Sequence, residues 1–267
     1  MNHAHVVLAD PGLKGQLPRI KGLEYVFEPA RLPEDQRFLL LVPASRLEFN
    51  QNMLSEPTRS RVEICLVMLD TEPKYVQITS DGTGWEPPAL LHPSMQVLQR
   101  VLRAWALEAE AELIATAGIR AGDLYVRDCR LREYKVPIRD IPPLRTLPGE
   151  NLYDFEVSDS GSYLWWPKRD IHIGLDTVRY YTDPAHKAQV DKQKAEYDAR
   201  YGRAIAMLRK QSGLRQTDIE GVTERQIRRI EQGESTPRAA TLEKLAAAHG
   251  IPFSEYLETL AGLTNAG

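Results

Sequence analysis

The sequence predicts an α+β protein in which a mixed α/β N-terminal body precedes an all-α domain of five helices. Up to about residue 183, short β-branched and apolar runs are separated by Pro and Gly, as strands and turns are. After that, apolar residues recur at helical spacing, and Gly stands where helices would end. We expect a mixed α/β domain over residues 1–125, a small β-rich domain over 126–183, a helical connector over 184–200 and the helical domain over 201–262.

Composition and charge indicate a globular protein that binds a partner selectively. Of the 267 residues, 27% are charged and 42% hydrophobic, which excludes a disordered chain. Residues 200–260 hold ten Lys and Arg against eight Asp and Glu, a net +2 within a total of −3. A mildly basic part on an acidic body suits site-specific binding more than bulk affinity for nucleic acid. With no spanning apolar run and no signal-peptide pattern, we expect a cytoplasmic protein that does not enter a membrane.

Short apolar runs predict the strands of the body, at residues 5–8, 25–27, 38–42, 62–69, 75–78, 124–126, 153–157, 163–166 and 170–173. Residues 62–69 are nearly all apolar, which favours a buried strand inside a sheet. Residues 159–162 (DSGS) fit a hairpin turn. Trp165 and Trp166 would point to opposite faces of one strand, so at least one should lie in the core.

The clearest helix of the body is predicted over residues 94–116, with Ser94 as N-cap and Gly118 as the stop. An apolar stripe runs from Val97 to Trp105 and continues towards the end of this helix. Two interpretations are open. The stripe packs on the sheet of the same chain, or it forms a contact between two copies.

Several patterns in the body resemble fragments of enzyme or metal sites, but none is complete. His3 and His5 alternate without further ligands, and residues 81–84 (DGTG) lack the helix start that phosphate binding needs. Asp170 and His172 share a strand face beside Trp165, either as a hydrogen-bonded structural pair or as a ligand site. Since zinc needs three or more ligands, we expect no metal and no cofactor. The sequence has no nucleophile elbow, P-loop or zinc helix, and we expect no enzyme activity.

The two cysteines, Cys65 and Cys129, have neither disulfide nor metal spacing, which is typical of a reducing compartment. Cys65 falls inside an apolar run, so we expect a buried, inert thiol rather than a nucleophile.

Two helices joined by a tight turn are predicted over residues 213–237. Thr223 and Gln226 form a capping box at the start of the second helix, and Gly233 stands just after its end. Gly221 permits the bend between the two helices. The second helix has one narrow apolar stripe, and its other faces carry long, forked side chains suited to base edges and phosphates.

Many residues of this segment match one family motif in order: Leu208-Arg209, Gly213-Leu214, Gln216, Gly221-Val222-Thr223, Ile227, Ile230-Glu231, Gly233 and Pro237. With them, residues 200–260 resemble the helix-turn-helix of the XRE class, the family of the lambda Cro and CI repressors. Most relatives have three more residues between the Gln and the turn Gly, so this chain resembles a version with a shortened first helix. Residues 161–173 resemble part of a small uncharacterised bacterial domain that precedes such helix-turn-helix domains.

The resemblance implies that Gln216 clamps a phosphate, that Arg225 and Arg229 meet base edges, and that Arg228 and Arg238 meet phosphates. It also implies that Arg209 and Glu231 join the first helix of the domain to the second helix of the motif. Glu224 would orient Arg225 or Arg228, or accept from a cytosine amine. The candidate DNA-binding residues are Gln216, Thr217, Thr223, Glu224, Arg225, Arg228, Arg229 and Arg238. For each arginine the alternative is a solvated helix surface.

The expected function is a sequence-specific DNA-binding transcriptional regulator, a repressor, that binds an inverted-repeat operator in double-stranded DNA as a homodimer. An alternative is an antitoxin-like protein, whose N-terminal body binds a protein partner while the helix-turn-helix serves autoregulation. A DNA-guided enzyme is a third hypothesis, which would need a catalytic cluster that the sequence does not display.

Overall fold

The computed structural model describes residues 5–46, 54–68, 89–92 and 94–266. The chain divides into two compact units, the body (Met1–Asp183) and the reader unit (Pro184–Gly267). A further boundary near residue 125 stays a prediction. The metal-like pattern at His3, the strand at 75–78 and the turn at 81–84 lie outside the described residues.

The body contains a five-stranded parallel sheet in the order β2-β1-β3-β4-β5. Its strands are β1 (His5–Ala9), β2 (Leu23–Val26), β3 (Phe38–Pro43), β4 (Val62–Met68) and β5 (Ala89–His92). β3 and β4 are interior strands and almost wholly buried, because apolar groups cover both faces of the sheet. The prediction of a buried strand over 62–69 is therefore confirmed in substance.

A first short helix, α1 (Glu56–Arg59), precedes β4, and α2 (Met95–Ala106) packs on one face of the sheet. Ser94 caps α2 as predicted, accepting from the Gln96 N–H at 3.2 Å. The apolar stripe of α2 is buried within its own chain, which agrees with the first of the two interpretations.

The predicted length of α2 was wrong. The helix ends at Ala106, Glu108 adopts a positive φ of 56°, and residues from Ile114 onward form a strand. The apolar residues keep their helical spacing through this turn by coincidence. Residues from Ile114 onward form a strand instead of a helix because they pair with a neighbouring strand.

Two antiparallel sheets complete the body, in the orders β6-β7-β8 and β11-β10-β9. Their strands are β6 (Ile114–Arg120), β7 (Asp123–Asp128), β8 (Glu133–Pro137), β9 (Glu156–Val157), β10 (Tyr163–Trp166) and β11 (Ile171–Gly174), and the helices are α3 (Pro142–Arg145), α4 (Gly149–Leu152) and α5 (Leu175–Thr182). The predicted hairpin joins β9 to β10. Trp166 is buried and Trp165 is 37% exposed, as the alternation of strand faces predicted.

The Asp170–His172 pair is looser than expected. Asp170 lies in the left-handed region just before β11, and its Oδ1 is 3.8 Å from His172 Nδ1, too far for a hydrogen bond. His172 instead packs edge-on against Tyr163, with ring centroids 4.8 Å apart. The prediction of a hydrogen-bonded pair was wrong because Asp170 precedes the strand instead of sharing its face.

The reader unit begins with a single helix, α6 (Pro184–Gln211), of 28 residues. We expected a connector helix and a separate first helix that meet at residue 200, and this was wrong because nothing between them breaks a helix. A 3₁₀ turn (Gln216–Asp218) follows, then α7 (Glu224–Glu231), α8 (Ala239–His249) and α9 (Phe253–Ala266). The mixed α/β body and the helical C-terminal unit confirm the predicted fold class.

The reader unit has its own core of buried apolar residues. Ile205, Ile219, Ile227 and Leu245 are fully enclosed. In α9 the inward residues are Tyr256 and Leu260, whereas Leu257 is half-buried.

No helix in the described ranges is long and apolar enough to cross a membrane. Within the same ranges, no group of three or more His, Cys, Asp or Glu is arranged to hold a metal ion. Cys65 and Cys129 are free and buried, and burial raises the pKa of both thiols to about 12, so they are protonated and inert at neutral pH.

Candidate nucleic-acid interface

The start of α7, which we call the reading helix, is fixed by its cap. The Gln226 N–H donates to Thr223 Oγ1 at 3.3 Å, and the Thr223 N–H donates back to Gln226 Oε1 at 3.0 Å. These two bonds form the predicted capping box and satisfy backbone donors that would otherwise lack partners. Thr223 is thus part of the cap that shapes the helix, and it lies exposed at the surface.

The end of the reading helix is held by a buried ion pair. Arg209 on α6 donates to both carboxylate oxygens of Glu231, at 2.5 and 3.0 Å, and also to the Leu214 carbonyl at 2.6 Å. Its hydrogen bond to Glu231 raises the pKa of this guanidinium above its usual value. Both side chains are only 9% exposed, so the predicted link between α6 and the reading helix is confirmed.

Two glycines bring α6 unusually close to the reading helix. A Cβ on Gly202 would lie 2.8 Å from the Glu231 carbonyl oxygen, and nearer still to that of Ile230. A Cβ on Gly233 would lie 2.7 Å from the Ala199 backbone. Gly233 was predicted from the sequence as a helix stop, but Gly202 had no predicted role, because close approach of two helices leaves no periodic signal.

The turn before the reading helix depends on Gly221, which has a positive φ of 70°. Lys244 on α8 donates to the Gly221 carbonyl oxygen at 2.8 Å. The role of Gly221 was predicted from the sequence, whereas that of Lys244 was not, because Lys244 is 23 residues away in sequence.

The guanidinium groups of the reading helix face outward, because Ile227 and Ile230 bury its opposite side. Arg225, Arg228 and Arg229 are all exposed. Together with Gln232 and Glu234 they line a shallow polar depression of ≈ 540 Å³. Three cations on one exposed side of a helix form a surface that anionic groups would neutralise.

Arg229 has a competing partner that was not predicted from the sequence. Its Nε lies 3.6 Å from Glu234 Oε2, and both side chains are about half exposed. Exposed ion pairs of this kind are worth little in water, so Arg229 is available to exchange this partner for a base edge or a phosphate.

The remaining candidate residues lie around the same helix. Gln216 is half-buried and donates to Glu231 Oε2 at 2.7 Å, so one of its two amide hydrogens is already engaged. Thr217 and Arg238 are exposed, Arg238 at the start of α8. Glu224 is exposed and, among the described residues, forms no ion pair with Arg225 or Arg228. Its expected orienting role stays a prediction.

Comparison with known families bears on this part of the chain. A family described as "Helix-turn-helix domain" matches residues 200–256, which contain the capped helix, the Gly221 turn and the Arg209–Glu231 pair. This segment is a helix-turn-helix domain. The domain class binds DNA through its second helix, which here is the reading helix. A comparison with curated proteins finds no match.

In this helix-turn-helix domain the first helix of the motif is reduced to one 3₁₀ turn, Gln216–Asp218. The Arg215 N–H donates to Asp218 Oδ2 at 2.8 Å, which closes the turn, and this bond lowers the pKa of the Asp218 carboxyl. The shortened spacing seen in the sequence therefore removes helical turns before the bend but leaves the reading helix and its cap intact.

Proposed function

We propose that the protein is a sequence-specific DNA-binding transcriptional regulator that represses by occupying an inverted-repeat operator as a homodimer. One observation carries the proposal: the exposed side of a helix fixed at both ends bears Arg225, Arg228 and Arg229. A helix held this firmly can read base edges, because the backbone positions from which the guanidinium groups extend are set before DNA arrives.

The position of each residue on or beside the reading helix predicts whether it contacts bases or the DNA backbone. Arg225 and Arg229 are four residues apart on one side and would meet base edges, with Arg228 beside them nearer to a phosphate. Gln216, Thr217 and Arg238 flank the helix and would bind the DNA backbone. Phosphate contacts position the domain, and base contacts specify the sequence.

A homodimer is expected because one helix of eight residues covers only a few base pairs. Two copies related by a two-fold axis would bind half-sites about 34 Å, or one helical turn, apart. The alternative of a protein-binding body with autoregulation uses the same reading helix and stays a prediction.

Selection of bound fragments from random double-stranded DNA by the full chain tests the proposal. We expect one enriched motif with two-fold symmetry and a half-site spacing near one helical turn. The variant Arg225→Ala/Arg229→Ala is the matched control and should enrich no motif. Enrichment of a single asymmetric site would contradict the dimer, and absence of any motif would contradict sequence-specific binding.

A further inference from the structure

The polar depression on the reading helix contains a carboxylate among its cations. Of the residues that line it, Arg225, Arg228 and Arg229 are cationic, and Glu234 is acidic. A carboxylate on a surface that faces DNA repels the phosphates, so its presence there requires an explanation. No role for Glu234 was predicted from the sequence.

The end of the reading helix fixes the backbone of Glu234. The Gly233 N–H donates to the Ile230 carbonyl oxygen at 3.0 Å. The Glu234 N–H donates to the Arg229 carbonyl oxygen at 2.9 Å. Two crossed bonds of this kind close a helix at a glycine of positive φ, which here is 74°. Glu234 is therefore attached directly to the backbone of Arg229.

The segment on the other side of Glu234 is held by α6. Thr236 Oγ1 donates to Asp198 Oδ1 at 3.3 Å. The Asp198 side chain is only 13% exposed, and it also pairs with Lys194 one turn earlier on α6. Since Gly233 packs against α6 as well, contacts before and after Glu234 fix the point from which its side chain extends.

The carboxylate of Glu234 lies beside the guanidinium of Arg229. Its Oε2 is 3.6 Å from Arg229 Nε, which is close enough for an ion pair but too far for a hydrogen bond. The side chains of Arg229 and Glu234 are 51% and 57% exposed, so the pair contributes little to folding stability. Its larger effect is on the groups that Arg229 can bind.

This arrangement opposes one kind of DNA contact more than the other. Glu234 approaches the guanidinium from its Nε side, which leaves the N–H donors at Nη1 and Nη2 for other acceptors. A phosphate on those donors brings a full negative charge close to the carboxylate, and the two repel each other. A guanine edge offers O6 and N7 as acceptors without a net charge, so the carboxylate opposes it less.

We propose that Glu234 is a specificity-determining residue, which positions Arg229 and disfavours contacts between this guanidinium and phosphates. Arg229 then binds a guanine edge in preference to the DNA backbone. This role rests on the proposed function, because Arg229 must face DNA. Discrimination between two partners often requires repulsion of the wrong one as well as attraction to the right one.

Fluorescence anisotropy of the full chain, with the selected site and with a random duplex, tests this role. Glu234→Gln keeps the size of the side chain and removes its charge. It should bind random DNA about fivefold more tightly, which is the effect in water of removing one charge beside an anion. Its affinity for the selected site should change less than about twofold. An affinity ratio equal to that of the wild type would overturn the proposal.

The salt dependence of binding to random DNA gives a second readout. In Glu234→Gln the plot of log affinity against log salt concentration should become steeper by about one unit, because Arg229 now neutralises one more phosphate. An unchanged slope would mean that Arg229 gains no phosphate contact, and this would overturn the proposal.

A matched control separates this role from an effect of net charge. Glu258→Gln removes an exposed carboxylate on α9, outside the depression, and changes the net charge by the same amount. It should leave both affinities unchanged. An equal gain on random DNA in Glu258→Gln and Glu234→Gln would overturn the proposal.

A double variant tests whether Glu234 acts through Arg229. In the Arg229→Ala background, Glu234→Gln should no longer change the ratio of the two affinities, because the guanidinium that it positions is absent. A change as large as that in the wild-type background would show that Glu234 acts independently of Arg229, and the proposal would be wrong.

A failure of the proposed function and a failure of this role give different results. Absence of any selected site contradicts both, whereas a selected site with an unchanged ratio in Glu234→Gln contradicts only the role of Glu234. Glu234→Asp keeps the charge and should retain most of the ratio. An equal loss of the ratio in Glu234→Asp and Glu234→Gln would show that the charge is not what matters. Circular dichroism verifies the fold of each variant.

Discussion

At the scale of single residues, Glu231 joins more parts of the domain than its place at the end of a short helix suggests. Its two carboxylate oxygens accept from Arg209 and Gln216, which belong to α6 and to the 3₁₀ turn. Three segments of the helix-turn-helix domain therefore meet at one buried charge. The family resemblance implied the Arg209–Glu231 pair, but the hydrogen bond from Gln216 was not predictable, because a side-chain amide at that position suits a phosphate equally well.

The first prediction concerns this charge. Glu231→Ala should lower the free energy of unfolding by about 3–5 kcal/mol, because it leaves the buried Arg209 guanidinium without its partner. Glu224→Ala, on the same helix but exposed, should lose at most about 1 kcal/mol, from the helix dipole. Urea unfolding monitored by circular dichroism measures both variants. A similar loss of unfolding free energy in the two variants would show that the hydrogen bonds to Glu231 stabilise the domain no more than an exposed side chain does.

The second prediction concerns specificity. Arg229→Ala should weaken binding to the selected DNA site by about 1–3 kcal/mol and relax specificity at one base pair, because a base-edge contact is lost. Gln216→Ala should weaken binding to specific and random DNA alike. Fluorescence anisotropy with both DNAs at fixed salt measures the difference. Equal loss on both DNAs in Arg229→Ala would exclude base contact by this residue.

The third prediction concerns pH. Burial, and then the charge of Arg209, lower the pKa of His249 below its ordinary 6.5. Its Nδ1 lies 2.9 Å from Ser212 Oγ, and its buried Nε2 has no hydrogen-bond partner among the residues that the structure describes. The unfolded chain therefore binds this proton more readily than the folded protein does, so folding stability should fall as pH drops below about 6.5.

Thermal unfolding at about pH 7.5 and about pH 5.5 measures this effect in the wild type and in His249→Gln. Other groups also titrate in this window, so the comparison between the two proteins is the decisive quantity. We expect a smaller loss of stability in His249→Gln. An equal loss in both proteins would mean that His249 titrates normally in the folded state.

At the scale of elements, the helix caps were predicted more accurately from the sequence than the helix lengths were. The caps at Ser94 and Thr223 are confirmed, because a cap is a bond between residues two or three apart. The predicted end of α2 was wrong because it depends on distant contacts. The predicted division of α6 at residue 200 was also wrong, whereas its two outer ends are close to those predicted. Ile114 begins a strand that pairs with β7, and α6 continues through Gly202, whose missing side chain is needed by the helix that crosses it.

The fourth prediction tests this close crossing. Gly202→Ala should destabilise the protein by about 1–3 kcal/mol, because the new Cβ overlaps backbone that cannot move aside, and this outweighs a gain of about 1 kcal/mol in helix propensity. Gly262→Ala, inside α9 with open space around it, should instead stabilise by about 0.5–1 kcal/mol. Chemical unfolding of both variants provides the test. Stabilisation by Gly202→Ala would contradict the close approach.

At the scale of the whole molecule, the order of the strands in the parallel sheet could not be predicted from the sequence. Parallel strands pair across long connections, and no local pattern encodes which strand adds to which edge. The ends of β1 and β3 lie together only in the fold, so the ion pair between Asp10 and Arg46, 36 residues apart, was not predicted. The reading helix was predictable, in contrast, because its cap, its turn and its cations lie within about 20 consecutive residues.

The fifth prediction concerns the reader unit as a separate folding unit. Residues 184–267 have their own core, centred on Ile205, Ile227 and Leu245. We expect this fragment, expressed alone, to be helical and to unfold in one cooperative transition, because its buried apolar residues contact one another. Circular dichroism on heating tests this. A gradual, non-cooperative loss of signal would show that the fragment requires the body.

The uninterrupted α6 has a mechanical consequence. A helix of 28 residues is about 42 Å long, and only its second half is embedded in the domain that holds the reading helix. Such a rod acts as a lever, since a tilt of about 10° on the DNA would swing its far end at Pro184 by about 7 Å. A spin label near Pro184 would therefore move far enough to measure when the geometry of the DNA groove changes slightly.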